Sequence, residues 1–338
     1  MYLMTLCAAV LCIVKNDSAA EGVISSLKLC ASTVVPSLLP FMVLSSYIVS
    51  SGMASDAGRM FEIPCRKIFR LSGEAGFIIL MSLVGGFPVG AKMTASAVEK
   101  GILTENQGRR MMLFCVNAGP AFIINIVGQS MLGSRKAGMI LLTATVSSSL
   151  FVGFISRFFD NENGAGSIHQ RSENKSAAFI SAVEGSVKTV IMICGWIVVF
   201  GALRNIIGVT WIPREIKLWA DMLFEVTEGC RFSSKNFPLP VTAFVLGFSG
   251  LAVHAQILPF LDSVNLKYRL FFSSRIISGA VAAVLSAALL HFFPCEIQTF
   301  AADARIIPIS YSVSVYASIS AIITASLIIL DLAPTRKV

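Results

Sequence analysis

The chain has 338 residues, 55% hydrophobic and 14% charged, where soluble domains carry about 25% charged residues. With a mean hydropathy of +0.77 there is too little polar material to cover a water-facing surface, which excludes a soluble globular protein. The net charge of +8 sits in short Lys/Arg clusters between apolar runs, the pattern of membrane-flanking loops and headgroup contacts rather than of a nucleic-acid partner.

A spanning helix needs about 20 apolar residues. In chain order, Tyr2–Val14 is a short first helix, without a basic residue ahead of it or a small-residue cleavage site. The run 29–55 is free of charge but contains Pro36 and Pro40. Runs 75–91, 111–134 and 137–156 follow, then 189–203, 236–253 and 276–290, and finally 306–330, a charge-free stretch of 25 residues and the clearest span. The polar stretch Asp160–Gln170, reaching to Lys175, is the one obvious linker, with His169 as a solvated residue in it. The sequence predicts an all-α polytopic membrane protein.

Three runs are interrupted, at Gly85-Gly86-Phe87-Pro88, at Asn117-Ala118-Gly119-Pro120 and at Gly247-Phe248-Ser249-Gly250. Each break frees backbone N–H and C=O groups, which hydrocarbon tolerates only where protein or water satisfies them. A packing kink is the plain alternative, because Gly and Pro are common in membrane helices.

The two halves resemble one another at a shift of about 160 residues. Ser18-Ala19-Ala20-Glu21 and Ser181-Ala182-Val183-Glu184 both read as capping boxes at a helix start. A basic amphipathic stretch follows in each half, Phe61–Arg70 and Trp211–Cys230, suited to the membrane interface. The broken runs at Gly86 and Gly247 come next, then Arg110–Cys115 against Arg269–Ser274. The expected organisation is an N-terminal helix over 1–17, a first repeat over 18–160, a linker over 161–176, a second repeat over 177–305 and a C-terminal helix and tail over 306–338. Duplicated halves with discontinuous helices are a transporter signature, with the site where the repeats meet. Inverted repeats are favoured. Basic connections on both sides of 75–98, with Arg66, Lys67 and Arg70 before it and Lys100, Arg109 and Arg110 after it, favour a re-entrant segment there.

Gly85-Gly86-Phe87-Pro88-Val89-Gly90-Ala91-Lys92-Met93-Thr94-Ala95, with Gly101–Thr104, Asn117–Ile123 and Pro36–Phe41, resembles the sporulation integral membrane proteins of the nucleoside-recognition, or Gate, superfamily. That superfamily also contains spore maturation proteins, the gate of ferrous-iron transporters and concentrative nucleoside carriers. The resemblance covers about residues 18–160, and the Gly-Phe-Pro-x-Gly-Ala-Lys core carries it. The second half keeps Gly247-Phe248 but lacks the Pro and the Lys. The resemblance implies a membrane protein of an endospore-forming bacterium, acting in spore cortex formation, with a transport-like fold.

Candidate solute-binding residues are Gly86, Pro88, Gly90, Lys92 and Thr94 around the first break, Asn117 and Asn125 around the second, and Ser249, His254, Gln256 and Arg275 in the second half. The Lys92 ammonium suits an anionic substrate group; otherwise it snorkels or pairs with Glu99. The amides of Asn117 and Asn125 suit a polar ligand or a neighbouring helix. His254 reads as a proton relay or ligand contact, or as a neutral ring held by a backbone carbonyl. Arg275 suits an anion, or an ion pair with Glu21 or Glu184, the more plausible structural role. Glu184 and Lys188 are four apart and suit a pair on one helix face. Ser310, Ser314 and Ser318 give the last span one small face, suited to close packing.

Eight cysteines without a Cys-x-x-Cys pair, and three histidines none of which lies within four residues of another, predict buried free thiols and no cofactor or metal. No His-Glu-x-x-His or Gly-x-Ser-x-Gly motif is present, so an enzyme is not expected. The expected function is a permease for a small polar solute, nucleoside-like or a cell-wall precursor, with the bilayer as its surroundings. The alternative is a scaffold that recruits other sporulation membrane proteins; a homo-oligomer fits either.

Overall fold

The computed structural model describes residues 14–158, 174–208 and 222–295. The first expected helix up to Ile13, most of the linker with His169, the start of the second amphipathic stretch and the 306–330 span lie outside the described residues. Among those described, the chain is helical without a strand.

Helix α1 (Asn16–Leu29) runs through a π-helical turn at Cys30–Val34 into α2 (Val35–Ser50). Pro36 falls in the first turn of α2, where its missing N–H costs nothing. Ser18 therefore lies inside α1, and Ser181 inside α8 (Lys175–Gly208). Both helices begin earlier than the capping-box pattern indicates, so neither serine is a cap. Glu184 does pair with Lys188, at 3.0 Å. Helices α1 and α2 pack along α8. They cross where a methyl group on Gly22 would lie 2.5 Å from the Gly201 carbonyl oxygen and one on Gly201 would lie 1.9 Å from Ser26 Oγ. Such backbone-to-backbone contact is how helices associate where lipid removes any hydrophobic drive between them.

Helix α3 (Met53–Pro64) and a π-helical turn at Cys65–Phe69 form the first amphipathic stretch. Met60, Ile63 and Ile68 are exposed, and Arg66 pairs with Glu62 at 3.3 Å. The stretch meets α4 (Gly73–Gly85) at 89°, the turn needed where an interfacial helix feeds a crossing one.

Gly86, with φ of +88°, separates α4 from α5 (Phe87–Glu99). Eight residues of straight helix span about 12 Å, yet a methyl group on Gly90 would lie 2.5 Å from Ser82 Cβ. The chain thus folds back at Gly86, the shape that a re-entrant 75–98 requires. Thr104 and Gln107 form a capping box that starts α6 (Glu105–Met112). Residues 113–119 are then unwound before a π-helical segment at Phe122–Met131. The run 111–134 is thus broken at Asn117-Ala118-Gly119-Pro120, where the sequence places an interruption.

Helix α7 (Arg135–Ser156) is capped by Ser134. After α8 come α9 (Val226–Asn236), α10 (Leu239–Phe248), α11 (Gly250–Ser263) and α12 (Tyr268–Phe292). Two successive left-handed residues, Ser249 and Gly250 (φ +78° and +74°), unwind the joint between α10 and α11. Among the described residues, α7, α8, the α10–α11 pair and α12 are long and apolar enough to cross a membrane, and the bent α3–α4 pair makes up to five. The protein is a multi-pass membrane protein.

Helix α5 sits between two apolar clusters. Ala91 and Ala95 join Ile140, Val253 and Ile257 in one, while Val89, Met93 and Ala97 join Met42, Ile78 and Ile193 in the other. The described cysteines are free, with Cys30, Cys65, Cys115 and Cys230 buried.

Space around α5 is set by Gly90, where a methyl group would lie 1.9 Å from the Cys115 carbonyl oxygen. Gly90→Ala is expected to destabilise the detergent-purified protein by about 1–3 kcal/mol, the usual cost of overpacking. Gly195→Ala, with nothing within 4 Å, is expected to leave the melting temperature unchanged or raised.

Candidate functional site

The first two breaks are packed against each other. At Gly86 the backbone angle demands glycine, while the space beside it is ordinary, 3.6 Å from a methyl carbon to the Gly119 nitrogen. Pro88 is buried in the first turn of α5. The Thr94 hydroxyl donates to the Gly90 carbonyl at 2.8 Å, a bond internal to α5. These four residues shape the fold-back, and the one side-chain polar group among them, the Thr94 hydroxyl, is bonded within α5.

Three of the carbonyls freed at 113–119, those of Leu113, Phe114 and Val116, are taken by side chains. Arg275, 1% exposed, donates from Nη1 to the Val116 carbonyl at 2.5 Å and from Nη2 to the Leu113 carbonyl. The Phe114 carbonyl accepts from Ser149 Oγ at 2.5 Å and from Asn117 Nδ2 at 2.8 Å. Arg275 thus pairs with neither Glu21 nor Glu184. A guanidinium presents several donors in a fixed fork, and the unwound turn supplies carbonyls to match it. Asn117 is likewise held within its own turn. Asn125 lies on the exposed side of the π-helical segment, away from the break.

The third break is closed the same way. His254 Nε2 lies 2.9 Å from the Phe248 carbonyl, the last residue of α10, and Nδ1 lies 3.2 Å from the Tyr268 hydroxyl. A carbonyl only accepts, so Nε2 carries the proton and Nδ1 accepts from Tyr268. The rings of Phe248, Tyr268, Phe271 and Phe272 surround the imidazole. His254 is the neutral, carbonyl-bound histidine rather than a relay. The Ser249 hydroxyl is buried and turns to the Leu246 carbonyl at 3.4 Å. Gln256 is buried two residues beyond His254, on nearly the opposite side of α11. The third break abuts Glu225 and Val226 at the start of α9, whereas the first abuts the second.

Lys92 stands apart from all of this. It is 7% exposed, and its Nζ donates to Ser186 Oγ on α8 at 3.0 Å. Ser186 Oγ is 3.4 Å from Ser46 Oγ on α2. Two turns further along α5, Lys100 Nζ donates to Ser50 Oγ at 2.7 Å. Glu99, the expected partner, is exposed, and no carboxylate pairs with Lys92 among the described residues. Lys92 on α5 and Lys100 just past its end, Ser46 and Ser50 on α2 and Ser186 on α8 form a polar seam about 12 Å long. Four of these five residues are absent from the sequence-derived candidates. The spacings of eight between Lys92 and Lys100 and of four between Ser46 and Ser50 place each set on one side, but only the packing shows that the two sides meet.

No family model matches the sequence, and no solved structure matches it. The chain is 25% identical to the sporulation integral membrane protein YlbJ of Bacillus subtilis (strain 168), over 74% of this chain and 72% of that one. That similarity fits a chain whose charge-poor helices are long enough to cross a bilayer.

Arg275→Met would leave the Leu113 and Val116 carbonyls without their donors. At about 1–3 kcal/mol for each buried group left unpaired, a loss of about 2–6 kcal/mol is expected in denaturant melts of purified protein. His254→Phe keeps the ring packing and loses one carbonyl partner, with an expected loss of about 1–3 kcal/mol.

Proposed function

We propose that this sporulation membrane protein is a transporter-like permease for a small polar solute, nucleoside-like or a cell-wall precursor, required for spore cortex formation. The observation that carries this reading is Lys92: a buried ammonium, beside a broken helix, whose partner is one serine hydroxyl. A charge at the bilayer centre costs about 2.5–3.5 kcal/mol on insertion scales, and a single hydrogen bond to a charged group returns about 1.5–3 kcal/mol. Structure alone therefore gains nothing from Lys92, and an anionic group of a solute supplies the missing partner. The fold-back at Gly86 supports the same reading, since discontinuous helices frame solute sites in transporters. The proposal of two Gate-like repeats rests on the sequence, where an amphipathic stretch followed by a broken run occurs in each half.

A Lys–Ser pair at 3.0 Å also has the spacing of a base and its nucleophile. Acyl transfer further needs donors for an oxyanion. Ser186 lies in the interior of α8, where backbone N–H groups are spent on the helix ladder, and is fully buried. The pair is better suited to binding than to catalysis.

A scaffold that recruits other sporulation proteins is the second reading. It is favoured by the apolar surface between α5 and α11, where Ala91 and Ala95 share a cluster with Val253 and Ile257, and by the internal donors on the Leu113, Phe114, Val116 and Phe248 carbonyls. The two readings separate at Lys92. In a sporulating host that relies on this chain, Lys92→Ala is expected to accumulate normally in membranes while heat-resistant spores fall by tenfold or more, with Lys92→Arg partly restoring them. Full spore yield from Lys92→Ala would instead establish the scaffold reading.

A further inference from the structure

Arg157 follows the last residue of α7, a helix long enough to span the bilayer, and so marks the level of one membrane face. Its Nη1 donates to the Lys67 and Ile68 carbonyls, each at 3.1 Å, which holds the π-helical end of the first amphipathic stretch at that level. The inward side of the stretch is occupied by α4: a methyl group on Gly76 would lie 2.4 Å from Phe61 Cβ and 2.6 Å from Cys65 Sγ. The outward side divides in two. Arg59, Glu62 and Arg66, spaced by three and four, form a charged flank, on which Arg66 takes Glu62 as its partner. Met60 and Ile63, 77% and 70% exposed, form an apolar flank with Ile68, and exposed Lys67 stands four residues after Ile63. Phe154 and Phe158, also exposed, continue the apolar surface at the end of α7, where the Arg157 guanidinium lies 5.1 and 5.4 Å from their ring centres.

We propose that this corner binds an acidic phospholipid, its phosphate held by Lys67 and Arg157 and its acyl chains lying on Ile68 and Phe154. Charge complementarity decides the ligand. Among the described residues no carboxylate pairs with Arg59, Lys67 or Arg157, while Glu62 is already matched by Arg66 at 3.3 Å. Arg157 uses Nη1 on the two carbonyls, and its Nε has no acceptor. A guanidinium with donors to spare suits a phosphate, and the fixed fork orients it. Lys67 adds a point charge on a stem that reaches headgroup level from the apolar flank. A basic cluster on an interfacial amphipathic helix attracts acidic lipid. A zwitterionic lipid brings its own ammonium beside the phosphate and gains less from the same cations. A free anion would meet the cations and leave the exposed aliphatic and aromatic side chains uncovered, whereas a lipid satisfies both. The inference does not depend on the permease reading.

The test uses the full chain in nanodiscs that mix phosphatidylglycerol with an excess of phosphatidylcholine, and native mass spectrometry to count the lipids it retains. Wild type is expected to retain phosphatidylglycerol above the bulk ratio by about threefold or more. Lys67→Gln, at an exposed side chain, is expected to lower that enrichment by at least half with the melting temperature unchanged, and Lys67→Gln with Arg157→Gln to abolish it. Lys235→Gln, an exposed cation near the end of α9, is expected to leave it intact. A bulk ratio in wild type would overturn the proposal, and so would an enrichment untouched by Lys67→Gln or lowered equally by Lys235→Gln. Displacement of the lipid by millimolar inorganic phosphate would assign the site to a free anion and overturn it as well.

Discussion

Main chain buried in hydrocarbon must find hydrogen-bond partners, and this protein unwinds it three times. Each unmade bond there costs several kcal/mol, so the breaks exist only because donors have been brought to them. Arg275 is the most consequential of these. From the first third of α12 it reaches the unwound 113–119 turn and holds the Leu113 and Val116 carbonyls. Two charge-assisted bonds return about 3–6 kcal/mol. The turn it holds then supports the fold-back of α4 and α5 through Gly86 and Gly119, and through the Cys115 carbonyl that presses on Gly90. A residue of the second half thereby fixes the conformation of the first.

The same device appears elsewhere in the chain. Arg110 donates to the Phe69 and Arg70 carbonyls, and Arg157 to those of Lys67 and Ile68, where the π-helical turn ends before the 89° bend. His254 serves the Phe248 carbonyl at the α10–α11 joint. Cationic or N–H-bearing side chains near helix C-termini also meet the negative end of the helix dipole. These basic residues bond to the architecture's own carbonyls, whereas Lys92 meets a serine hydroxyl.

The class of protein and most helix positions were legible because they depend on composition and run length. The breaks were legible too, since Gly86 and Asn117–Pro120 are local signals. What they do was not, because a glycine required by backbone angle (Gly86) and one required by space (Gly90) look alike in a sequence. Arg275 shows the same limit in another form: a carboxylate was the natural partner to expect for a buried arginine, whereas an unwound carbonyl pair becomes visible only once α12 is laid against residues 113–119. The capping-box pattern misled at Ser18 and Ser181 because a Ser-x-x-Glu spacing is equally at home inside a helix that starts earlier. Lys92 was recognisable as an intramembrane charge, but Ser186 and Ser46 belong to helices brought to it by the Gly22–Gly201 crossing, a contact between residues 179 positions apart.

Those observations constrain how any solute site here can work. At the breaks the Leu113, Phe114, Val116 and Phe248 carbonyls already accept from side chains of the protein, so a ligand would have to compete for them. What the breaks supply is geometry: the fold-back at Gly86 sets the direction of α5, and α5 carries Lys92 and Lys100 toward serines on α2 and α8. Helix α5 also packs on α11 through Ala91 and Ala95, so a shift of α5 relative to α2 and α8 would open the seam on one side while sliding across small side chains on the other. Small residues offer little resistance to such sliding, and hydroxyl–ammonium bonds re-form over short distances.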